Sequence, residues 1–525
     1  MDSQRFKARG KRFAVATPHQ AATRAAVEAF EAGGNAVDAA VAANVVLAVV
    51  YPHMCGIGGD LFAVVADSRS RVVVNGSGAA ARALRADHIR QAHRAMPAQG
   101  PLSVSVPGTV AAWGEMMSRF GRLPLAAAIR PAIAYAHDGV LVAGSVRRAI
   151  AKHRDRLDRD PGLRAMLLPA GQPLGENDHL RQPALAASLR AIADLGTDAF
   201  YDGPVGARLI GGLRRLGSPL TADDFRRHTS EVLSPLTRRY RGHDVLVPPP
   251  NSQGFVLEEI LGCIERGGVE PDHLGRQAPM VARLFLLASD DRDRFLADTP
   301  QTFIAVNELL SPEHTRDVLE QARAGVAQGS VGRAASGDTV GIVTAEEGGL
   351  WVSINQSLYD AFGSGILEPD SGIICHNRGS AFSLDPASPN LLEGGKRPAH
   401  TLMPVMVLKN GAPVVASATM GRNAHAQIHA ELLMAVIDQG LSAFEAVDRP
   451  RWLVGGLRAE AAGVVAESRV PDAVLSGFRG AGVSVDQLGD WDEQVGHAQL
   501  IAHGADGRLH AASDPRADGA AAASD

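Results

Sequence analysis

The chain has 525 residues, 46% of them hydrophobic and 21% charged, with a net charge of −5. That balance describes a folded protein long enough to bury a large core without disulfides or metals, and it gives no footing for nucleic acid or an anionic membrane as a partner. Three scattered cysteines, Cys55, Cys263 and Cys375, form no C-x-x-C pair, so neither a disulfide framework nor a zinc ribbon is expected.

Residues 1–14 are polar and basic and lack the apolar run of a secretory signal, so a cytoplasmic protein is expected. Thr17 is expected to cap a helix over residues 18–30, with Pro18 at its first position. Gly33 and Gly34 end that helix, and Asn35 caps a second one, Ala36–Val50. This run carries Asp38 and Asn44 and is too short to cross a bilayer, so it reads as a buried helix. Gly56 to Gly59 turn the chain into a strand over residues 61–66, with residues 71–74 as its hairpin partner. Helices are expected at 108–117 and 123–137, then a charged, helical stretch over 152–238. A strand at 245–247 is halted by Pro248-Pro249-Pro250, and a helix follows at 255–265. Residues 321–337, rich in Ala, Gly, Ser and Gln, are expected to be exposed and flexible. Strands at 340–345 and 350–355 come next, then a hairpin of 405–408 with 413–417 and a long helix over 425–439. The tail after Ala511 is expected to be disordered.

The abrupt passage from a slack segment through Gly337-Asp338-Thr339 into a strand has a chemical reading. A threonine hydroxyl becomes a useful nucleophile when an α-amine on the same residue serves as its base, and that amine, with a pKa of roughly 8, is close to working pH. A threonine used this way must begin a chain. Attack of the Thr339 hydroxyl on the Asp338 carbonyl, followed by hydrolysis of the ester, would release it. On spacing alone, a threonine that opens a strand is more often only a strand former.

Several blocks, in order, resemble the gamma-glutamyltransferase family: Ala16-Thr17-Pro18-His19, Gly33-Gly34-Asn35-Ala36-Val37-Asp38-Ala39-Ala40, Gly56-Ile57-Gly58-Gly59, Val106-Pro107-Gly108, Tyr240-Arg241-Gly242, Pro248-Pro249-Pro250, Phe362-Gly363-Ser364-Gly365 and Lys396-Arg397-Pro398. The resemblance implies an α/β (α+β) N-terminal-nucleophile hydrolase fold, a four-layer αββα sandwich. It also implies a precursor that cuts itself between Asp338 and Thr339 into regions 1–338 and 339–525 of one intertwined unit. This heterodimer can pair further. Thr339 falls on the family's nucleophile. Ser357 falls where a second hydroxyl bonds that nucleophile, and Gly421-Arg422 where two backbone N–H groups hold the oxyanion. No cofactor or metal is implied.

The family's grip on a γ-glutamyl head is altered. Its carboxylate-binding arginine falls on Ser77 and its amine-binding aspartate on Ala381. Its asparagine past the second hydroxyl falls on Tyr359, and its serine pair on His400-Thr401. Arg378 replaces a glutamine and offers a new fork for a carboxylate. Asn377-Arg378-Gly379 and the run Gln356 to Tyr359 look closest to the cytoplasmic amidohydrolase branch, typified by oxamate amidohydrolase. The expected substrate is a small acyl amide bearing a carboxylate, held by Arg378 with help from His400. The other reading of Arg378 is a structural ion pair. A short stretch over residues 384–396 implies a missing lid and an open site favouring hydrolysis over transfer. Two alternatives stand beside this one: a true gamma-glutamyl hydrolase or transferase acting on glutathione, and a non-processing, non-catalytic relative. His425 and His429 share a helix face at a spacing that suits zinc, but the Glu of H-E-x-x-H is absent, and a surface or interface pair is the expectation.

Overall fold

The computed structural model describes residues 3–325, 338–455 and 463–525. Fourteen strands build two seven-stranded sheets. In chain order they are β1 (Lys7–Gly10), β2 (Phe13–Thr17), β3 (Asp60–Ala66), β4 (Arg71–Gly76), β5 (Glu231–Leu233), β6 (Leu236–Tyr240), β7 (His243–Val247), β8 (Asp338–Glu346), β9 (Trp351–Tyr359), β10 (Val405–Lys409), β11 (Ala412–Met420), β12 (His497–His503), β13 (Leu509–Ser513) and β14 (Ala520–Ser524). One sheet runs β14-β2-β8-β9-β3-β4-β5 and the other β1-β13-β12-β11-β10-β7-β6, with every neighbouring pair antiparallel. Both sheets contain strands from either side of the Asp338–Thr339 bond.

Side-chain alternation explains the layering. On β8, Val340 and Ile342 enter the core beneath one helical layer, whereas Val343 and Ala345 enter the core between the sheets, as a period of two requires. The first helical layer holds α1 (Gln20–Glu31), α2 (Ala36–Val50), α3 (Thr109–Phe120), α4 (Leu125–Asp138) and α5 (Pro183–Leu195). The second holds α6 (Gly254–Gly267), α7 (Ala278–Phe295), α8 (Pro312–Arg323) and α9 (His425–Leu433). The result is the αββα sandwich. All fifteen residues of α2 are buried, and its Asn35 accepts from the N–H groups of Val37 and Asp38 while Asp38 caps Asn35 in return, a reciprocal capping box.

Several expectations need correction. Thr17 ends β2, and the helix after it starts at Gln20 with His19 as its cap. Here strand pairing with β8 and β14 outweighs the capping preference of threonine. The charged 152–238 stretch contains three strands as well as helices. The helix from His425 passes into a π-helical turn over Met434–Asp438, and His425 and His429 are fully buried rather than on a surface. The tail is ordered: β13 pairs with β1 and β12, and β14 pairs with β2. Within the segment expected to be flexible, α8 extends to Arg323, and residues 326–337 lie outside the described ones. No helix among the described residues is long and apolar enough to cross a membrane.

Candidate active site

The odd-numbered residues of β8 and β9 point between the sheets. Ser353 Oγ donates to the Ser417 carbonyl at 2.7 Å, and Asn355 Nδ2 donates to the Thr419 carbonyl at 2.8 Å. A Cβ on Gly341 would lie 2.8 Å from the Ala418 backbone, so glycine is what lets the sheets approach closely just below Thr339.

At this end the chain is intact and poised. The Ser357 hydroxyl donates to the Asp338 carbonyl oxygen at 2.5 Å and accepts from the Tyr359 N–H at 2.7 Å. The carbonyl of the Asp338–Thr339 bond is thereby polarised by a hydroxyl that is itself oriented by backbone. Thr339 and Ser357 are each 2% exposed, so both hydroxyls lie beneath the surface. The β8–β9 register slips between Asp338 and Val340, which marks a local irregularity at Thr339. Burial pushes the Asp338 carboxyl up to about 7, against the opposing pull of Arg422.

Gly421 and Arg422 follow β11 directly. Arg422 takes a left-handed backbone, φ 50°, and so does Tyr359, φ 80°. Two non-glycine residues in this costly region face one another, strain of the kind that collects at functional sites. The Tyr359 ring lies between two guanidinium groups, with Arg378 Cζ 3.7 Å and Arg422 Cζ 4.7 Å from its centroid. Arg422 also pairs with Asp360. Gln253, just ahead of α6, donates to the carbonyls of both Thr401 (2.7 Å) and Arg422 (3.0 Å) and so ties the two halves of the site together.

Arg378 is 1% exposed and donates to Thr401 Oγ1 at 2.9 Å and, weakly, to the Ala399 carbonyl at 3.5 Å. No carboxylate among the described residues forms an ion pair with it, so the structural ion-pair reading fails. Burial lowers its pKa to about 10, opposed by Tyr359 and Asp60. A buried charge without a counter-ion is costly, and the stack on Tyr359 recovers part of that cost.

His400 is placed differently from expectation. It is fully buried, its Nδ1 accepts from the Leu402 N–H at 3.2 Å, and its Nε2 therefore donates to Asp60 Oδ2 at 3.2 Å. His376 Nδ1 stands 3.4 Å from the same oxygen. Burial would raise the Asp60 carboxyl, but His376 and His400 hold it well below the usual carboxylate range. Both His400 nitrogens are thus engaged within the protein. Ser77 is likewise enclosed, donating to Asn75 Oδ1 at 2.7 Å and accepting from Asn251 Nδ2 at 3.3 Å. Of the residues singled out in the sequence, Asp338, Thr339, Ser357, Tyr359, Arg378, Thr401 and the Gly421-Arg422 turn come together, while Ser77 and His400 belong to a supporting network. Asp60, Gln253 and Asp360 were missed. Only Asp60 carried a signal, as an acid that opens an apolar strand straight after Gly58-Gly59.

Comparison with known proteins agrees with this geometry. The family model for gamma-glutamyltranspeptidase matches residues 22–524. The oxamate amidohydrolase proenzyme of Klebsiella pneumoniae is 36% identical over 518 residues, covering 96% of this chain and 97% of that protein. The glutathione hydrolase-like YwrD proenzyme of Bacillus subtilis is 35% identical over 524 residues, 98% of each. The cephalosporin acylase of Bacillus halodurans superposes with a TM-score of 0.91 at 31% identity, covering 100% of this chain and 98% of that one. The chain belongs to the gamma-glutamyltranspeptidase family and is a self-processed amide hydrolase of the N-terminal-nucleophile class.

Proposed function

We propose that the cut falls between Asp338 and Thr339 and that the freed Thr339 hydrolyses small acyl amides whose acyl part carries a carboxylate, such as oxamate. The observation that carries this reading is Arg378, a buried guanidinium beside Tyr359 that forms no ion pair with any carboxylate among the described residues. A substrate carboxylate supplies the missing charge in a bidentate contact. Thr339 Oγ attacks the amide carbonyl while its own α-amine takes the hydroxyl proton and passes it to the leaving amine. The Gly421 and Arg422 N–H groups hold the oxyanion, and Ser357 holds the nucleophile. Water then cleaves the acyl-Thr339 ester. After processing, the working unit is a heterodimer of 1–338 with 339–525.

A γ-glutamyl substrate fits less well, because Ser77 and Ala381 stand where a zwitterionic head would need opposite charges. The test is steady-state kinetics of wild type and Arg378→Ala on oxamate, on a neutral amide of similar size, and on a γ-glutamyl anilide. Arg378→Ala is expected to raise KM for oxamate at least about tenfold and to leave the neutral amide unchanged. Equal effects on both, or a wild-type preference for the γ-glutamyl compound, would overturn the reading.

A further inference from the structure

Away from the nucleophile, the second helical layer brings together three side chains from three helices: Glu259 of α6, Asp291 of α7 and His314 of α8. One ligand atom from each lies within 4.8 Å of the others. His314 Nε2 is 2.8 Å from Asp291 Oδ2 and 3.7 Å from Glu259 Oε1. Glu259 is 0% exposed, and among the described residues neither of its carboxylate oxygens has a hydrogen-bond partner. On the solvent side, Arg294 reaches only to 4.0 Å from Asp291 Oδ1. One histidine is thus set against two carboxylates, and the deeper of them is left without a donor.

We propose that Glu259, Asp291 and His314 form a structural site for a divalent transition cation such as Zn2+. An imidazole nitrogen with two carboxylate oxygens is a donor set that borderline cations accept. Bonds of about 2.0–2.2 Å to nitrogen and oxygen require Glu259 to draw in by roughly an ångström. A divalent charge neutralises both carboxylates at once, which a single imidazolium cannot do. Binding displaces the proton on His314 Nε2 to solvent. In the metal-free protein Asp291 alone lies within hydrogen-bond distance of that nitrogen, at 2.8 Å, so the cation replaces one contact with bonds to all three side chains.

The site would fasten the first turn of α8 to α6 and α7. Among the described residues α8 is the last helix before the Asp338–Thr339 bond, so the cation would anchor the element that precedes it in the chain. Spacing gave no hint of it, because the ligands are 32 and 23 residues apart along the chain.

The experiment uses tag-free, dialysed full-length protein titrated with Zn2+, with calorimetry and metal analysis after gel filtration. Wild type should retain about one cation per chain and melt several degrees higher with the cation bound. Glu259→Gln and His314→Ala should weaken uptake at least tenfold. Should a variant fail to fold, cation retention by the wild type and the accompanying rise in melting temperature decide. Absence of retained cation, or uptake that both folded variants share, overturns the proposal and leaves His314 as a protonated bridge between two acids.

Discussion

Thr339 and Ser357 divide the work of self-cleavage between attack and polarisation. Thr339→Ala removes the attacking oxygen, so the protein should persist as one intact chain on a denaturing gel, whereas wild type resolves into fragments ending at Asp338 and beginning at Thr339. Ser357→Ala removes the 2.5 Å hydrogen bond to the carbonyl under attack. Loss of one such donor costs on the order of 10²–10³ in rate, so its processing should slow by that order in a gel time course, and Ser357→Thr should restore most of it. Cleavage of Ser357→Ala at the wild-type rate would remove Ser357 from the reaction. These two hydroxyls were legible in the sequence because ordered motifs fix their positions. The partners Asp60, Gln253 and Asp360 were not, since each earns its place through a contact made in three dimensions: Asp60 through His400, 340 residues away, and Gln253 through Arg422, 169 residues away.

Elements with a period or a cap were readable in advance, such as α2 with its Asn35 box and the alternating β8 and β9. The C-terminal strands were not. β14 is four alanines and a serine, with no apolar face to betray a strand, and its pairing with β2 alone defines it. The approach to it is fixed by a buried ion network. Arg516 pairs with Glu467 at 2.6 Å and with Asp514 at 2.9 Å, and Arg451 pairs with Asp514 at 2.7 Å. All four side chains are at most 2% exposed. Arg516→Ala strands the Glu467 carboxylate and should destabilise the fold by about 3–5 kcal/mol, the usual cost of removing one partner of a buried pair. Denaturant unfolding measures it, and a loss below about 1 kcal/mol would mean that water or a shifted Arg451 compensates Glu467.

At the scale of the whole molecule, unusually many ionisable groups are held neutral by the layered core. Burial lowers His53, His400 and His429 to about 3 and His228 and His497 to about 4. In the unfolded chain these histidines protonate near 6.5, so between that pH and their folded values the unfolded state binds more protons, and stability falls as the pH falls. Burial acts oppositely on Glu258 and Glu431, raising both to about 8. Between about 4.5 and 8 the folded state holds protons that the unfolded state has released, so for these two groups stability falls as the pH rises. Each titrating group contributes at most about 1.4 kcal/mol per pH unit. Five histidines outweigh two glutamates below pH 6.5; from there to 8 the glutamates act with the same sign as Asp338 and Glu259, raised to about 7, and His314, raised to about 10. The melting temperature should therefore peak near pH 6.5, drop steeply on the acid side and decline gently on the alkaline side. A scan of Tm from pH 4.5 to 8.5 reads the shape directly. Glu431→Gln should flatten the alkaline limb and steepen the acid one, because Glu431 opposes the histidines between about 4.5 and 6.5. A profile that keeps rising through pH 8 would show that these buried carboxyls are ionised in the fold.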